Sequence, residues 1–283
     1  MQHSILVTNI ADYGAGDGAF AEVAQQLLLK LPTAQLQSLS VPAFSTQATG
    51  FWIAQLGLNP GPTERILYHN CAPRKDNKRA RKNNAGESLT YALLPNGVKV
   101  IGVNAGYTLS FIKDHVKVLR VINLPSCGSQ FRSRDIFPEA IAALAQGDET
   151  LLGDALPLDK IPDIPLGEVI WIDGYGNLKT TIPAHSIGLT PGSLAHIRVG
   201  DVTAEAIYTD SSFAVPEGFL AFAPGSSGWP NADGNQRLQW MELFLRGGSA
   251  WKQFHQPRIG ASVTQRGNLL QLTGIEASLG YVV

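Results

Sequence analysis

The densest chemistry in the chain lies in Phe131-Arg132-Ser133-Arg134-Asp135-Ile136-Phe137, where two guanidiniums, a hydroxyl and a carboxylate occupy four consecutive positions. Guanidiniums stay protonated and offer a planar fork of donors; a hydroxyl both donates and accepts. Such a set can hold a small anion or orient a polar ligand. Equally, Arg132 can pair with an acidic neighbour, and Ser133 or Asp135 can cap the helix that starts at Ile136.

Other polar clusters sit at turns. Asp12 and Asp17 follow the first apolar run. A carboxylate at Asp12 can take both hydrogen bonds of a vicinal diol, or it can cap nearby amides. Asp17 reads as a helix cap, a ligand contact or both. Asp173 and Asn177 bracket Gly174-Tyr175-Gly176, a ligand loop or an ordinary glycine turn. Ser226 and Ser227 lie between Gly225 and Gly228. The run Arg74–Lys82 holds six basic residues and one Asp and reads as a solvated loop. It lacks the interleaved aromatics of single-strand binders. The six histidines show no metal-ligand spacing, so no metal is expected.

These residues need elements to place them. Short apolar runs at Ser4–Asn9, Gln35–Val41, Arg65–Asn70 and Val116–Asn123 read as strands. Phe20–Leu31, capped by Asp17, Ser45–Leu56, capped by Ser45, and Ile136–Gln146 read as helices, and Thr108–His115 as a short one. Leu89–Leu94 and Val98–Val103 flank Pro95-Asn96-Gly97, a hairpin signal. The alternation predicts an α/β N-terminal domain over residues 1–153 with a mainly parallel sheet. A proline-rich linker follows at 154–166. Short β-like runs then predict a smaller all-β, barrel-like C-terminal domain over 167–283. They are Val169–Ile172, Leu178–Ile182, Ala195–Val199, Thr203–Tyr208, Phe219–Phe222, Leu238–Leu245 and Ala261–Thr264. Pro230–Gln239 reads as an inserted polar loop.

Composition narrows the class. The chain has 283 residues, 44% of them hydrophobic, and a formal charge of -1. That length suits two domains, and the balance gives no global field for nucleic acid. Only Cys71 and Cys127 are present, too few for a disulfide framework or a zinc cluster. No run reaches the ~18 apolar residues of a membrane span. The opening Met1-Gln2-His3-Ser4 carries no secretory signature. A cytoplasmic protein without membrane contact is expected.

Four segments in order now carry a resemblance. Ala11-Asp12-Tyr13-Gly14-Ala15-Gly16-Asp17 matches a family opening of Thr-Asp-Phe-Gly, two residues, then Asp. Pro42-Ala43-Phe44 matches Pro-x-Phe. Phe131–Phe137 matches Phe-His-Gly-Arg-Asp-Ile-Phe, and Ile172-Asp173-Gly174-Tyr175-Gly176-Asn177-Leu178 matches Ile-Asp-x-Phe-Gly-Asn-Leu. The chain resembles the S-adenosyl-L-methionine (SAM) hydroxide adenosyltransferases, relatives of the SAM-dependent fluorinase and chlorinase. The resemblance implies a homotrimer. It also implies a ligand held between the N-domain of one subunit and the C-domain of its neighbour. SAM is then a substrate, with no further cofactor, and the expected products are adenosine and L-methionine.

The resemblance also assigns roles. Asp12, with Asp17, Phe44 and Phe131 around it, would bind the ribose. Asp173 and Asn177 would hold the amino-acid end, with the Tyr175 ring facing the adenine, and Ser226 and Ser227 the carboxylate. The family's catalytic Asp corresponds to Asn70 and its His to Arg132; Ser133 stands where the fluorinase has a Ser. Neither an amide nor a guanidinium takes a proton from water near neutral pH. An altered homologue that binds SAM or adenosine without turnover therefore stands beside the hydrolase, as does displacement by a halide or another anion.

Overall fold

A computed structural model describes residues 4–73, 87–124, 129–211 and 213–266. The expected basic run lies outside the described residues, as does Cys127. The chain forms two compact units. Among the described residues the first comprises 4–164 with Trp229–Asn235, and the second 165–228 with 236–266. The proline-rich stretch stays with the first unit as far as Ile164; Ile161 is buried there.

The first unit is a seven-stranded sheet flanked by helices. In chain order it holds β1 (Leu6–Ala11), α1 (Gly18–Lys30), β2 (Gln35–Ser40), α2 (Thr46–Gly57), β3 (Arg65–Asn70), β4 (Leu89–Leu93), β5 (Lys99–Val103), β6 (Val118–Ile122), α3 (Arg132–Asp135), α4 (Phe137–Ala145) and β7 (Leu152–Ala155). A short 3-10 turn, Ser110–His115, precedes β6. The strand order is β2-β1-β3-β5-β4-β6-β7. The sheet is mixed, not mainly parallel. Three neighbour pairings are parallel and three antiparallel. The reason lies in the hairpin at Pro95-Asn96-Gly97. Gly97 takes φ +85°, which folds β5 back along β4, and β4 then separates β5 from β6.

Strands β1 and β3 are buried along almost their whole length, as sheets covered on both faces require. One face packs Val7, Tyr68 and Ile101 against Val23 and Leu27 of α1 and Phe137 and Ile141 of α4. Asp17 caps α1 by accepting from the Ala19 amide at 2.8 Å. Ser45 caps α2 through the Ala48 amide. The expected insertion at Pro230–Gln239 is shorter than read, because a strand begins at Arg237. Trp229 is fully buried in the first unit, edge-on to Phe51 and Phe111.

The second unit is a curled sheet of β8 (Val169–Ile172), β9 (Leu178–Pro183), β10 (Leu194–Val199), β11 (Val202–Tyr208), β12 (Leu220–Pro230), β13 (Arg237–Leu245) and β14 (Val263–Arg266), with one helical turn, α5 (Ala250–Gln253). Its order is β14-β10-β11-β12-β13-β9-β8. The two outer strands approach each other. Glu168 bridges Ser262, and the Val169 amide donates to Ala261 O at 2.9 Å. The sheet is thus close to a barrel, which hides the edges that an open sheet would expose. Met241, Leu243, Phe222 and Phe254 fill its core. Among the described residues no helix is long and apolar enough to cross a membrane.

His69, on β3, is fully enclosed. It sits beside Gly102 of β5 in register, and a methyl at position 102 would overlap the imidazole. Burial pushes the imidazole down to about 3 from 6.5. The folded chain therefore keeps His69 neutral while the unfolded chain takes up a proton below pH 6.5. Its contribution is constant above pH 6.5 and erodes as pH falls toward 3, at up to about 1.4 kcal/mol per pH unit. Urea unfolding of wild type and His69→Gln at pH 7, 6, 5 and 4 should show the wild type losing stability relative to the variant. A constant difference would contradict the assignment.

Candidate functional site

The carboxyl ends of β1, β3 and β5 lie along one edge of the first sheet, because these strands run parallel. Register decides what meets there. Ala11 pairs with Asn70 on one side and Ser40 on the other, so Asp12-Tyr13, Asn70-Cys71 and Pro42–Phe44 converge. The chain order reverses between β1 and β3, the place where such sheets commonly bind ligands.

Around Ser133 these segments make a connected polar cluster. The Tyr13 hydroxyl donates to Ser133 Oγ at 2.7 Å, and the Asn70 amide also bonds that phenol. The Tyr68 hydroxyl donates to the Ser133 carbonyl at 3.1 Å. Ser133 is buried within α3. Burial pushes the Tyr13 phenol up to about 12, against the opposing pull of its bond to Ser133. Burial also raises Tyr68 well above its ordinary value. Both phenols are thus neutral donors at physiological pH.

The seven-residue motif is not a simple turn before a helix. It forms the short α3, breaks at Ile136, and restarts as α4. Neither Ser133 nor Asp135 caps α4, whose N-cap position is Ile136 with no side-chain cap bond. Asp135 instead accepts from Ser129 and pairs with Arg134, which also reaches Glu22. Arg132 donates to the Glu87 carbonyl at 3.1 Å and lies 5.0 Å over the Phe137 ring. Phe131 meets Tyr13 edge-on at 5.8 Å.

Asp12 accepts from the Phe44 amide at 2.8 Å through Oδ2, so it does cap the neighbouring turn. Phe44 itself sits at φ +62°, a conformation that strains a bulky residue, and its ring is largely exposed. Cys71, buried beside Asp12 and Thr49, is pushed up to about 12 by burial. His69 belongs to the opposite face of β3 from Tyr68 and Asn70, enclosed against Gly102, and does not reach the Ser133 cluster.

In the second unit Asp173 organises its own loop. Oδ1 accepts from the Tyr175 and Asn177 amides at 3.0 Å, and Oδ2 from the Asn177 side chain at 2.9 Å. Gly176 takes φ +85°, and a side chain there would run into Ser249. Tyr175 is 82% exposed. Ser226 and Ser227 lie inside β12 and not in a loop. Ser227 is buried; Ser226 Oγ is 3.4 Å from Lys179 Nζ. Lys179 in turn pairs with Glu242 at 2.9 Å, both side chains about nine-tenths covered.

Sequence reasoning missed Tyr68, Lys179 and Glu242 as members of these clusters. Tyr68 was accessible by strand periodicity, since it shares a face with Asn70 two residues on. Lys179 was signalled by a lysine inside an otherwise β-like apolar run.

No family model and no curated protein matches the chain. Solved structures do. A crystal structure of an uncharacterized conserved protein from Thermotoga maritima aligns with TM-score 0.73 and 17% identity, over 92% of this chain and all of that one. A conserved hypothetical protein from Thermus thermophilus aligns with TM-score 0.61 and 20% identity, over 93% of this chain and all of that one. At such identities the likeness is one of fold.

The Lys179–Glu242 pair gives a stability test. Glu242→Gln leaves a buried ammonium without its counter-charge, a change that typically costs about 3–5 kcal/mol. Replacing both partners with Lys179→Met and Glu242→Leu should recover most of that loss. Denaturant unfolding of the single and the double variant measures it; equal losses in the two would show that the pair is not coupled.

Proposed function

We propose that the chain binds SAM and displaces methionine at the ribose 5' carbon, with water as nucleophile, giving adenosine and L-methionine. The observation that carries this reading is the convergence of Asp12, Tyr13, Asn70 and Ser133 from three separate segments. In this reading the carboxylate of Asp12 binds the ribose diol beside its bond to the Phe44 amide. Asp17 serves chiefly as the α1 cap. Phe44 and Phe131 wall the sugar. Asp173, Tyr175 and Asn177 receive the amino-acid end and the adenine, and Ser226 and Ser227 the carboxylate. A homotrimer that joins these two sets across subunits belongs to the same proposal, as does a cytoplasmic setting.

The chemistry makes modest demands. The water oxygen bonds to the 5' carbon as the carbon–sulfur bond breaks. Sulfur keeps the electron pair, methionine leaves as a neutral thioether, and the proton passes to solvent. No acid is needed for the leaving group. What the protein supplies is alignment and exclusion of bulk water. Ser133 and Asn70 orient the nucleophile, while Arg132 adds positive charge nearby.

A second reading, SAM or adenosine binding without turnover, has its own support. Neither Tyr13, Asn70 nor Ser133 is a base near neutral pH, and the Tyr13 phenol is held up at about 12. A third reading puts a halide or other anion in the place of water, since a desolvated anion needs no base. Incubation of the pure protein with SAM, followed by chromatography, separates them. Adenosine formation that falls at least tenfold in Asp12→Ala fits the first. SAM retained unconsumed fits the second, and a halide-dependent 5'-haloadenosine the third. Calorimetry that detects no binding of SAM or adenosine would sink all three.

A further inference from the structure

The second unit carries a concavity of about 460 Å³ against the Asp173 loop, within the ~300–1,000 Å³ of ordinary small-molecule sites. Its lining includes Ile172, Tyr175, Gly176, Ser249, Trp251 and Lys252. Two residues with large aromatic side chains thus line one hollow, and they are held differently. Tyr175 stands 82% exposed on a turn whose backbone is fixed by the Asp173 carboxylate. Exposure of that extent on a bonded, ordered turn leaves the faces of the ring open to a partner. Trp251 is partly buried, and its indole N–H donates to Pro257 O at 3.1 Å, which fixes the plane of the ring. The Trp251 amide donates to Gly176 O at 2.8 Å. Gly176 lies so close to Ser249 that no side chain fits between them. Loop and helical turn are therefore one construction, and the hollow that both line is set by backbone bonds.

We propose that Trp251 is a binding residue: the concavity takes a flat heteroaromatic base, with Trp251 as its fixed wall and Tyr175 as the movable one. The observations favour a planar ring over an aliphatic ligand. Aromatic walls on a polar, glycine-lined rim suit stacking, which is tolerant of ring identity and gains little from a flexible chain. This inference rests on the reading above that the ligand contains adenosine. It adds a residue to which neither the motifs nor the resemblance points.

The test uses adenosine as probe on the full-length protein. Trp251→Leu keeps an apolar side chain but removes the stacking face; Trp251→Phe keeps an aromatic face and loses the indole bond. Adenosine affinity, by calorimetry, should fall about tenfold to a hundredfold in Trp251→Leu and stay within about threefold in Trp251→Phe. Thermal melts of both variants confirm folding. Adenosine should also quench wild-type tryptophan fluorescence, and Trp251→Phe should lose that quench. L-Methionine, which lacks a base, should produce no quench. Wild-type affinity in a folded Trp251→Leu overturns the proposal while leaving the functional reading intact. An equal loss in Trp251→Leu and Trp251→Phe overturns stacking in favour of anchoring through the indole N–H. If wild type binds neither adenosine nor SAM, the functional reading fails and takes this inference with it.

Discussion

The pairing of β1 with β3, Ala11 opposite Asn70, is the constraint on which the first unit's polar cluster depends. Parallel strands bring like ends together, so an in-register pair delivers two strand ends to one place. A slip of one residue would turn every side chain of β1 to the other face. Asp12 would then lose the Phe44 amide, and Tyr13 would lose Ser133. The register is secured by burial. Both strands are covered on two sides, and Val7 and Tyr68 share one apolar cluster with α1 and α4. Apolar packing of the sheet thus determines which polar groups meet within the cluster.

The two units handle polarity in different ways. Around Ser133 the buried groups are neutral, and donors and acceptors are matched by hydroxyls, an amide and a carbonyl. Such an arrangement avoids the cost of burying charge. The barrel-like unit instead buries a full ion pair, Lys179 with Glu242. That pair supplies a strong local field but little net stability relative to apolar replacements. It also holds the Lys179 ammonium 3.4 Å from the Ser226 hydroxyl.

Much of the fold was legible because the local signals agreed with the tertiary outcome. Asp17 and Ser45 cap the helices they precede, and the runs at Arg65–Asn70 and Val169–Ile172 are strands with those bounds. The mixed character of the first sheet was harder to see. The hairpin at Pro95–Gly97 was evident, but which neighbour β4 would take on its other side is a non-local choice. The helix break at Ile136 was likewise hidden, since the apolar pattern runs through it. At the polar cluster, the motifs named Asp12, Asn70 and Ser133. The bonding between Asn70 and Ser133 runs through Tyr13, with Tyr68 beside it, and in a linear sequence both tyrosines look like ordinary core aromatics.

The contact between His69 and Gly102 carries a consequence for descent. An imidazole fills the space a side chain at position 102 would need, so neither position can drift alone. Enlargement at 102 is tolerated only after 69 has become small, and a glycine at 102 beside a small residue at 69 leaves a hole. The two positions are therefore coupled as an evolutionary pair.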